Sequence, residues 1–192
     1  KFGEDLAILA GDALFLDPFG MIAASALPDT VKVSLILELS DASGSRGMVA
    51  GQVLDMEGEH KQLTLAELQT IHANKTGRLL AYPFIAAGLI LELQADIGQL
   101  LEKIGKKLGL AFQVRDDILD LVADFEALGK TPQKDLVAEK STYPALLGLE
   151  ESKALLTREL DACEDLLDQI TATCEFDPQA IKKLIEGLRI DG

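Results

Sequence analysis

The sequence predicts an all-α protein, on three observations. Apolar residues recur near a 3.6-residue spacing along most of the chain, beginning with positions 6, 8, 9, 13, 14 and 16. The composition is 48% hydrophobic but only 5% aromatic, and Leu and Ala dominate the apolar set, which favours helix over sheet. No strand-like alternation of useful length and no internal repeat interrupts that pattern. A chain of 192 residues fits one domain and can bury a proper core.

The elements follow in order. The pattern in "EDLAILAGDALFL" is helical; Pro18 is expected to interrupt or kink it before a turn at Pro28 and Asp29. Thr30 is the expected cap of the next helix, which is apolar at 31, 33, 36, 37 and 39. "GSRGMVAG", 44–51, reads as a close-packed helical joint. Thr64 and Glu67 form a capping box that opens a helix running past Leu79 and Leu80. Residues 96–128 read as one long helix, and Gly98, Gly105 and Gly109 along it allow a neighbouring helix to approach closely. The stretch 129–144, with two prolines and little periodicity, is a loop. Ser152 is expected to start another amphipathic helix, and Asp177–Pro178 to supply the N-cap and first residue of the last one.

The net charge of −14 leaves no excess of Lys or Arg to neutralise phosphates, which excludes a nucleic-acid binder. Small polyanions stay compatible, because a divalent metal or a lysine cluster reverses the sign locally. Cys163 and Cys174 have no CxxC spacing and read as unpaired thiols of a reducing compartment. No signal peptide is recognised, and the longest apolar run, 79–93, is broken by Pro83, Gly88 and Glu92, short of the eighteen or so residues that span a bilayer. The expectation is a soluble, cytoplasmic protein.

"FQVRDDILD", 112–120, carries the chemistry. On a helix Asp116 and Asp120 share a face, about 5–6 Å apart, and like charges at that spacing are destabilising without a cation. Arg115 points about 100° away, so a hard divalent ion is the better partner: Mg²⁺ borrows one or two carboxylates and takes its other oxygens from water and phosphate. Lys130, Lys134 and Lys140 follow directly, and Lys75 stands beside Thr76 in "NKTG" on the preceding long helix. A carboxylate–magnesium cluster ringed by lysines is a diphosphate site. The plainer reading is a solvated acidic face. "EDLLD", 164–168, has the same acidic spacing with no lysine-rich loop beside it and is assigned to plain surface. His60 and His72 match no zinc spacing, and no glycine pattern indicates a nucleotide fold.

Five ordered blocks, "GEDLAILAGDAL", "GMVAGQVLDMEGE", "HANKTGRLL", "GLAFQVRDDILD" and "LGKTPQKDLVAEKSTYPALLG", resemble the trans-type polyprenyl diphosphate synthases, the farnesyl and geranylgeranyl diphosphate synthase family. The resemblance runs from residue 2 to about residue 160 and is nearest to the bacterial short-chain branch. It implies a bundle of long antiparallel helices around a central cavity, a homodimer, and Mg²⁺-dependent condensation of isopentenyl diphosphate with an allylic diphosphate. By the same resemblance Asp116 ligates Mg²⁺, with Asp120 and Asp117 close behind through water or indirect contacts. Lys75, Lys130 and Lys140 grip the allylic diphosphate, Thr76 and Gln113 place oxygens near the developing cation, and Phe112 contacts the isopentenyl group. Gln52 and Asp55 line the same cavity.

Family members also carry a first aspartate-rich motif, DDxxD or DDxxxxD, on an earlier helix facing "RDDILD", and an upstream "GK..R" segment; neither precedes "RDDILD" in this sequence. The expectation is therefore that 1–192 is the C-terminal portion of a single synthase domain and is inactive by itself. A non-catalytic binding subunit of a heteromeric synthase is the alternative, against which the intact "RDDILD" and "KSTYP" segments argue. A structural helical domain and a terpene cyclase are the remaining rivals; cyclases usually lack this lysine-rich loop.

Overall fold

The computed structural model describes residues 1–128 and 141–190, and helices account for nearly all of them. They are α1 (Glu4–Ala24), α2 (Asp29–Ser43), α3 (Met48–Gly58), α4 (Leu65–His72), a π-helical turn (Ala73–Gly77), α5 (Arg78–Ile90), α6 (Ala95–Leu128), α7 (Tyr143–Leu147), α8 (Leu149–Thr173) and α9 (Gln179–Leu188). No strand occurs among the described residues. The expected all-α class is the observed one.

The long helix α6 is the axis of the core. Ile97, Leu101, Ile104, Leu108, Ala111, Val114 and Ile118 are buried along it, at the three- and four-residue steps of one helical face. The matching stripe of α8, including Leu156, Leu160, Cys163, Leu167 and Ile170, is buried in the same cluster. Phe112 and Leu119, apolar but off that stripe, stay exposed. Lys107 Nζ donates to Glu159 Oε2 at 2.8 Å across the two helices.

The opposite side of α6 meets α5 and the π turn at backbone distance. A Cβ on Gly105 would lie 2.7 Å from the Ala81 Cα, and one on Gly109 would lie 2.7 Å from the Gly77 Cα. Rising residue numbers on one helix meet falling numbers on the other, so the two run antiparallel. Gly51 of α3 abuts the same turn: a Cβ there would collide with the Lys75 backbone nitrogen. The close-packed joint expected at 44–51 is therefore real, and its contact is the π turn. Gly98 meets nothing within 4 Å of an added Cβ.

The capping box forms as expected: Glu67 N–H donates to Thr64 Oγ1 at 3.3 Å, and Thr64 N–H to Glu67 Oε2 at 2.8 Å. Those bonds hold the Glu67 carboxyl below its ordinary value, the one to the Thr64 backbone most strongly.

Several boundaries differ from expectation. Helix α1 runs straight through Pro18. Leu14, four residues earlier, is exposed, so water can satisfy the carbonyl that the proline leaves without a donor. Thr30 does not cap α2: the helix starts at Asp29, and the Thr30 carbonyl accepts from Ser34 Oγ at 3.1 Å inside it. Helix α8 begins at Leu149, and Ser152 is a buried residue whose Oγ donates to the Gly148 carbonyl at 2.8 Å. Tyr143 and Pro144, expected in a loop, open α7, where Thr142 Oγ1 accepts from Ala145 N–H at 3.3 Å. Pro178 takes the cap position of α9, while Asp177 Oδ1 accepts from Gln179 N–H at 3.0 Å.

Helix α1 buries none of its residues and is long and apolar enough to cross a membrane, with Asp12 and Asp17 along it. Those aspartates divide it into apolar runs shorter than 79–93, so run length alone does not reveal it. Many apolar side chains of α1 are exposed, among them Leu6, Leu9, Leu14 and Leu16, as are Val33 and Leu37 of α2.

Candidate active site

Two neighbouring rows of α6, each stepping by four residues, build the site. The outer row is Phe112, Asp116 and Asp120, all exposed. The inner row begins with Gly105 and Gly109, which set the distance to α5 and the π turn, and continues as Gln113 and Asp117. Asp117 is buried, at 8% exposure. Sequence spacing alone does not separate the two aspartates; the packing does.

The inner row carries a hydrogen-bond chain across three elements. Thr76 Oγ1, on the π turn, donates to Gln113 Oε1 at 3.3 Å. Gln113 Nε2 donates to Asp117 Oδ1 at 3.1 Å, and the backbone N–H of Tyr143, opening α7, donates to Asp117 Oδ2 at 3.0 Å. Asp117 thus joins the helix that carries Asp116 to the far end of the lysine-rich segment.

That end is tied down a second time. Ser141 Oγ accepts from Leu63 N–H at 3.1 Å and donates to the Lys61 carbonyl at 3.4 Å. The Tyr143 ring is buried and stands 5.4 Å from the His72 ring, centroid to centroid. Burial, reinforced by Asp117 and then Glu159, raises the Tyr143 hydroxyl well above its ordinary pKa. Sequence reasoning assigned none of His72, Ser141 and Tyr143 to the site. The only signal was the position of "STYP" after the lysines.

Lys75 Nζ pairs with Asp55 Oδ2 at 2.5 Å, both side chains about one-third exposed. The pair holds α3 to the π turn directly above the Gly51 contact. A single turn of π-helix is a recurrent feature of functional sites, because the wider turn turns side chains off the regular helical rows. Asp55, Lys75, His72, Gln113, Asp117 and Ser141 line a cavity of about 390 Å³. Gln52 is exposed on α3, three residues before Asp55, and is not among the residues that line this cavity. Lys130, Lys134 and Lys140 lie outside the described residues.

Among the described residues, no three His, Cys, Asp or Glu side chains meet as a ready metal cluster. Asp116 and Asp120 are two exposed carboxylates one turn apart, a donor set suited to a hard ion that keeps water and phosphate oxygens in its other positions. The comparison segment "EDLLD" behaves differently. Arg189 Nη2 donates to Glu164 Oε1 at 2.9 Å and to Asp161 Oδ1 at 2.8 Å, and Lys182 stands 3.6 Å from Asp168. It is not plain surface but the edge against which α9 docks, and the Glu164 bond raises the Arg189 pKa further.

A profile of the polyprenyl synthetase family matches residues 1–183. The chain belongs to that family. It is 52% identical over 167 residues to a farnesyl diphosphate synthase of Micrococcus luteus, covering 87% of this chain and 57% of that protein. It is 45% identical over 166 residues to the farnesyl diphosphate synthase of Geobacillus stearothermophilus, covering 85% of this chain and 56% of that protein. The chain thus spans little more than half the length of these relatives. Among solved structures, the geranyltransferase of Helicobacter pylori complexed with magnesium and isoprenyl diphosphate superposes with a TM-score of 0.77 at 30% identity. That match covers 97% of this chain and 60% of the other. The resemblance of the five sequence blocks to polyprenyl synthases therefore holds at the level of family and fold.

Proposed function

We propose that the protein is a prenyltransferase condensing isopentenyl diphosphate with an allylic diphosphate (dimethylallyl, geranyl or farnesyl) into a short-chain trans-polyprenyl diphosphate. Beyond family membership, one observation carries the reading. A single helix presents Asp116 and Asp120 outward while its next row locks Gln113 to Thr76, the neighbour of Lys75. Anion-holding groups and cation-facing oxygens thereby share one site.

Asp116, with Asp120, is assigned to Mg²⁺, and Asp117 stands behind them. When bound, magnesium supplies positive charge to the departing diphosphate. Lys75, together with Lys130 and Lys140, grips the allylic diphosphate. As its C–O bond breaks, the Thr76 and Gln113 oxygens face the developing allylic cation, where fixed dipoles are most effective away from water. Phe112 contacts the isopentenyl group, whose double bond forms the new C–C bond. The proton then lost goes to the departing diphosphate. Asp55 holds Lys75 in place, and Gln52, about one turn earlier on α3, is assigned to the same substrate-binding side of the site. The exposed apolar surface of α1 and α2 supports a homodimer, and the two free thiols support a reducing, cytoplasmic setting.

The test is a prenyl-transfer assay of the full-length gene product with isopentenyl diphosphate, Mg²⁺ and five-, ten- and fifteen-carbon allylic primers, read by mass spectrometry. Extended products are expected, with Asp116→Ala lowering kcat about 100-fold or more. A folded protein that extends no primer overturns the reading in favour of a non-catalytic subunit.

A further inference from the structure

The chain from Tyr143 through Asp117 and Gln113 to Thr76 has a direction. The Tyr143 backbone N–H can only donate, and an ionised carboxylate can only accept. Asp117 therefore takes a donor on each side, Tyr143 N–H at 3.0 Å and Gln113 Nε2 at 3.1 Å. With its amide nitrogen committed, Gln113 must turn Oε1 toward Thr76, and Thr76 Oγ1 donates to it at 3.3 Å. The Thr76 proton is consumed inside the chain, and only oxygen lone pairs remain at its free end.

We propose that Asp117 is a positioning residue that sets the polarity of this chain, so that Thr76 Oγ1 and Gln113 Oε1 face the reacting centre with lone pairs and the Thr76 proton is turned away from it. The proposal rests on the prenyl-transfer reading, in which a cation develops beside those two oxygens. An electron-rich oxygen stabilises that cation and a proton repels it, so the direction of the chain acts on the transition state more than on substrate binding.

The asparagine variant keeps the shape of the side chain and changes the direction of these two bonds. In Asp117→Asn the Tyr143 N–H still requires an acceptor, so the introduced amide must turn its oxygen toward Tyr143 and its nitrogen toward Gln113. Gln113 then flips, its Nε2 faces Thr76, and the Thr76 hydroxyl becomes an acceptor with its proton released from the chain. Each of these partners is satisfied, yet the polarity is reversed. Adding Gln113→Glu restores it, because a carboxylate in place of the Gln113 amide accepts from both the introduced amide nitrogen and the Thr76 hydroxyl. Gln113→Glu alone sets two carboxylates against each other.

The experiment measures thermal unfolding, kcat and KM for the full-length gene product and the variants D117N, Q113E and D117N/Q113E. The expected D117N protein melts within about 2 °C of wild type, loses about 100-fold in kcat and keeps its KM within a few-fold. Q113E melts several degrees lower, and the double variant recovers both the melting temperature and most of the kcat. A merely structural Asp117 predicts the reverse: D117N lowers stability and activity together, and Gln113→Glu rescues neither. That result, or a D117N enzyme with wild-type kcat, overturns the proposal. The two levels separate cleanly. Absence of turnover in the wild type defeats the prenyl-transfer reading and with it the catalytic consequence. Recovery of stability in the double variant tests the direction of the chain without any turnover.

Discussion

Replacing Gly109 with alanine adds one methyl group at the point where α6 presses on the π turn. The new Cβ would lie 2.7 Å from the Gly77 Cα, against an ordinary carbon–carbon separation of about 3.5–4.0 Å. The obstacle is backbone, not the flexible end of a side chain, so the helices must part by about 1 Å. Overpacking of this kind costs about 1–3 kcal/mol, while alanine in place of glycine inside a helix returns about 0.5–1 kcal/mol. The net expectation is a loss of about 1–2 kcal/mol, or a melting temperature lower by about 2–8 °C for a chain of this size.

The displacement acts on function as well as stability. Thr76 lies on the π turn and Gln113 on α6, one turn beyond Gly109, so their 3.3 Å hydrogen bond lengthens past useful geometry when the elements separate by about 1 Å. A misplacement of that size costs about 100-fold in rate where orientation is part of catalysis. The assay is urea and thermal unfolding with prenyl transfer, and the control is Gly187→Ala in α9, where an added Cβ meets nothing within 4 Å. The control should gain about 0.5–1 kcal/mol with unchanged turnover. If Gly109→Ala behaves like Gly187→Ala in both measurements, the Gly109–Gly77 contact does not hold the site together.

Two further expectations concern buried groups behind the site. The Tyr143 hydroxyl is buried without a hydrogen-bond partner among the described residues, so Tyr143→Phe should leave stability unchanged or raise it by about 1 kcal/mol in urea unfolding; a comparable loss would show a missed partner. Burial pushes the Cys163 thiol from an ordinary 9.0 up to about 12, with Lys107 opposing the shift and Glu159 and Glu164 adding to it. The fold therefore keeps a proton that the unfolded chain releases. This contribution is fully present below about pH 9 and is lost as the pH rises toward 12. Wild-type stability should fall more steeply than that of Cys163→Ala over that range, and parallel curves would refute the assignment.

What the sequence disclosed follows the reach of local physics. The apolar stripe of α6, the Thr64–Glu67 capping box and the closeness marked by Gly105 and Gly109 depend on residues near one another in sequence or on one helix face, and all were legible. The opposite fates of Asp116 and Asp117 were not. They are decided by Tyr143, twenty-six residues beyond Asp117, arriving with a backbone N–H. "EDLLD" shows the same limit: its acidic spacing matches that of the site, and Arg189 and Lys182, returning with α9, turn it into a docking edge. The π turn at Ala73–Gly77 has no periodic signature, since one widened turn hardly disturbs the apolar pattern on either side.

The adjacent aspartates of "RDDILD" look like a repulsion that folding must tolerate, but the helix turns them to different work. Consecutive residues on an α-helix point about 100° apart, so Asp116 enters water while Asp117 enters the packed face beside Gln113. A buried carboxylate is costly unless donors surround it, and here Gln113 and the start of α7 provide them. The outward aspartate stays in water, open to a partner from outside the helix. The inward one fixes where α7 begins, and with it the exit from the lysine-rich segment. A chain that needed only acidity on this face could place its carboxylates anywhere along the outer row. Putting two side by side couples a metal-suited face to a rigid, directional interior within a single helical step.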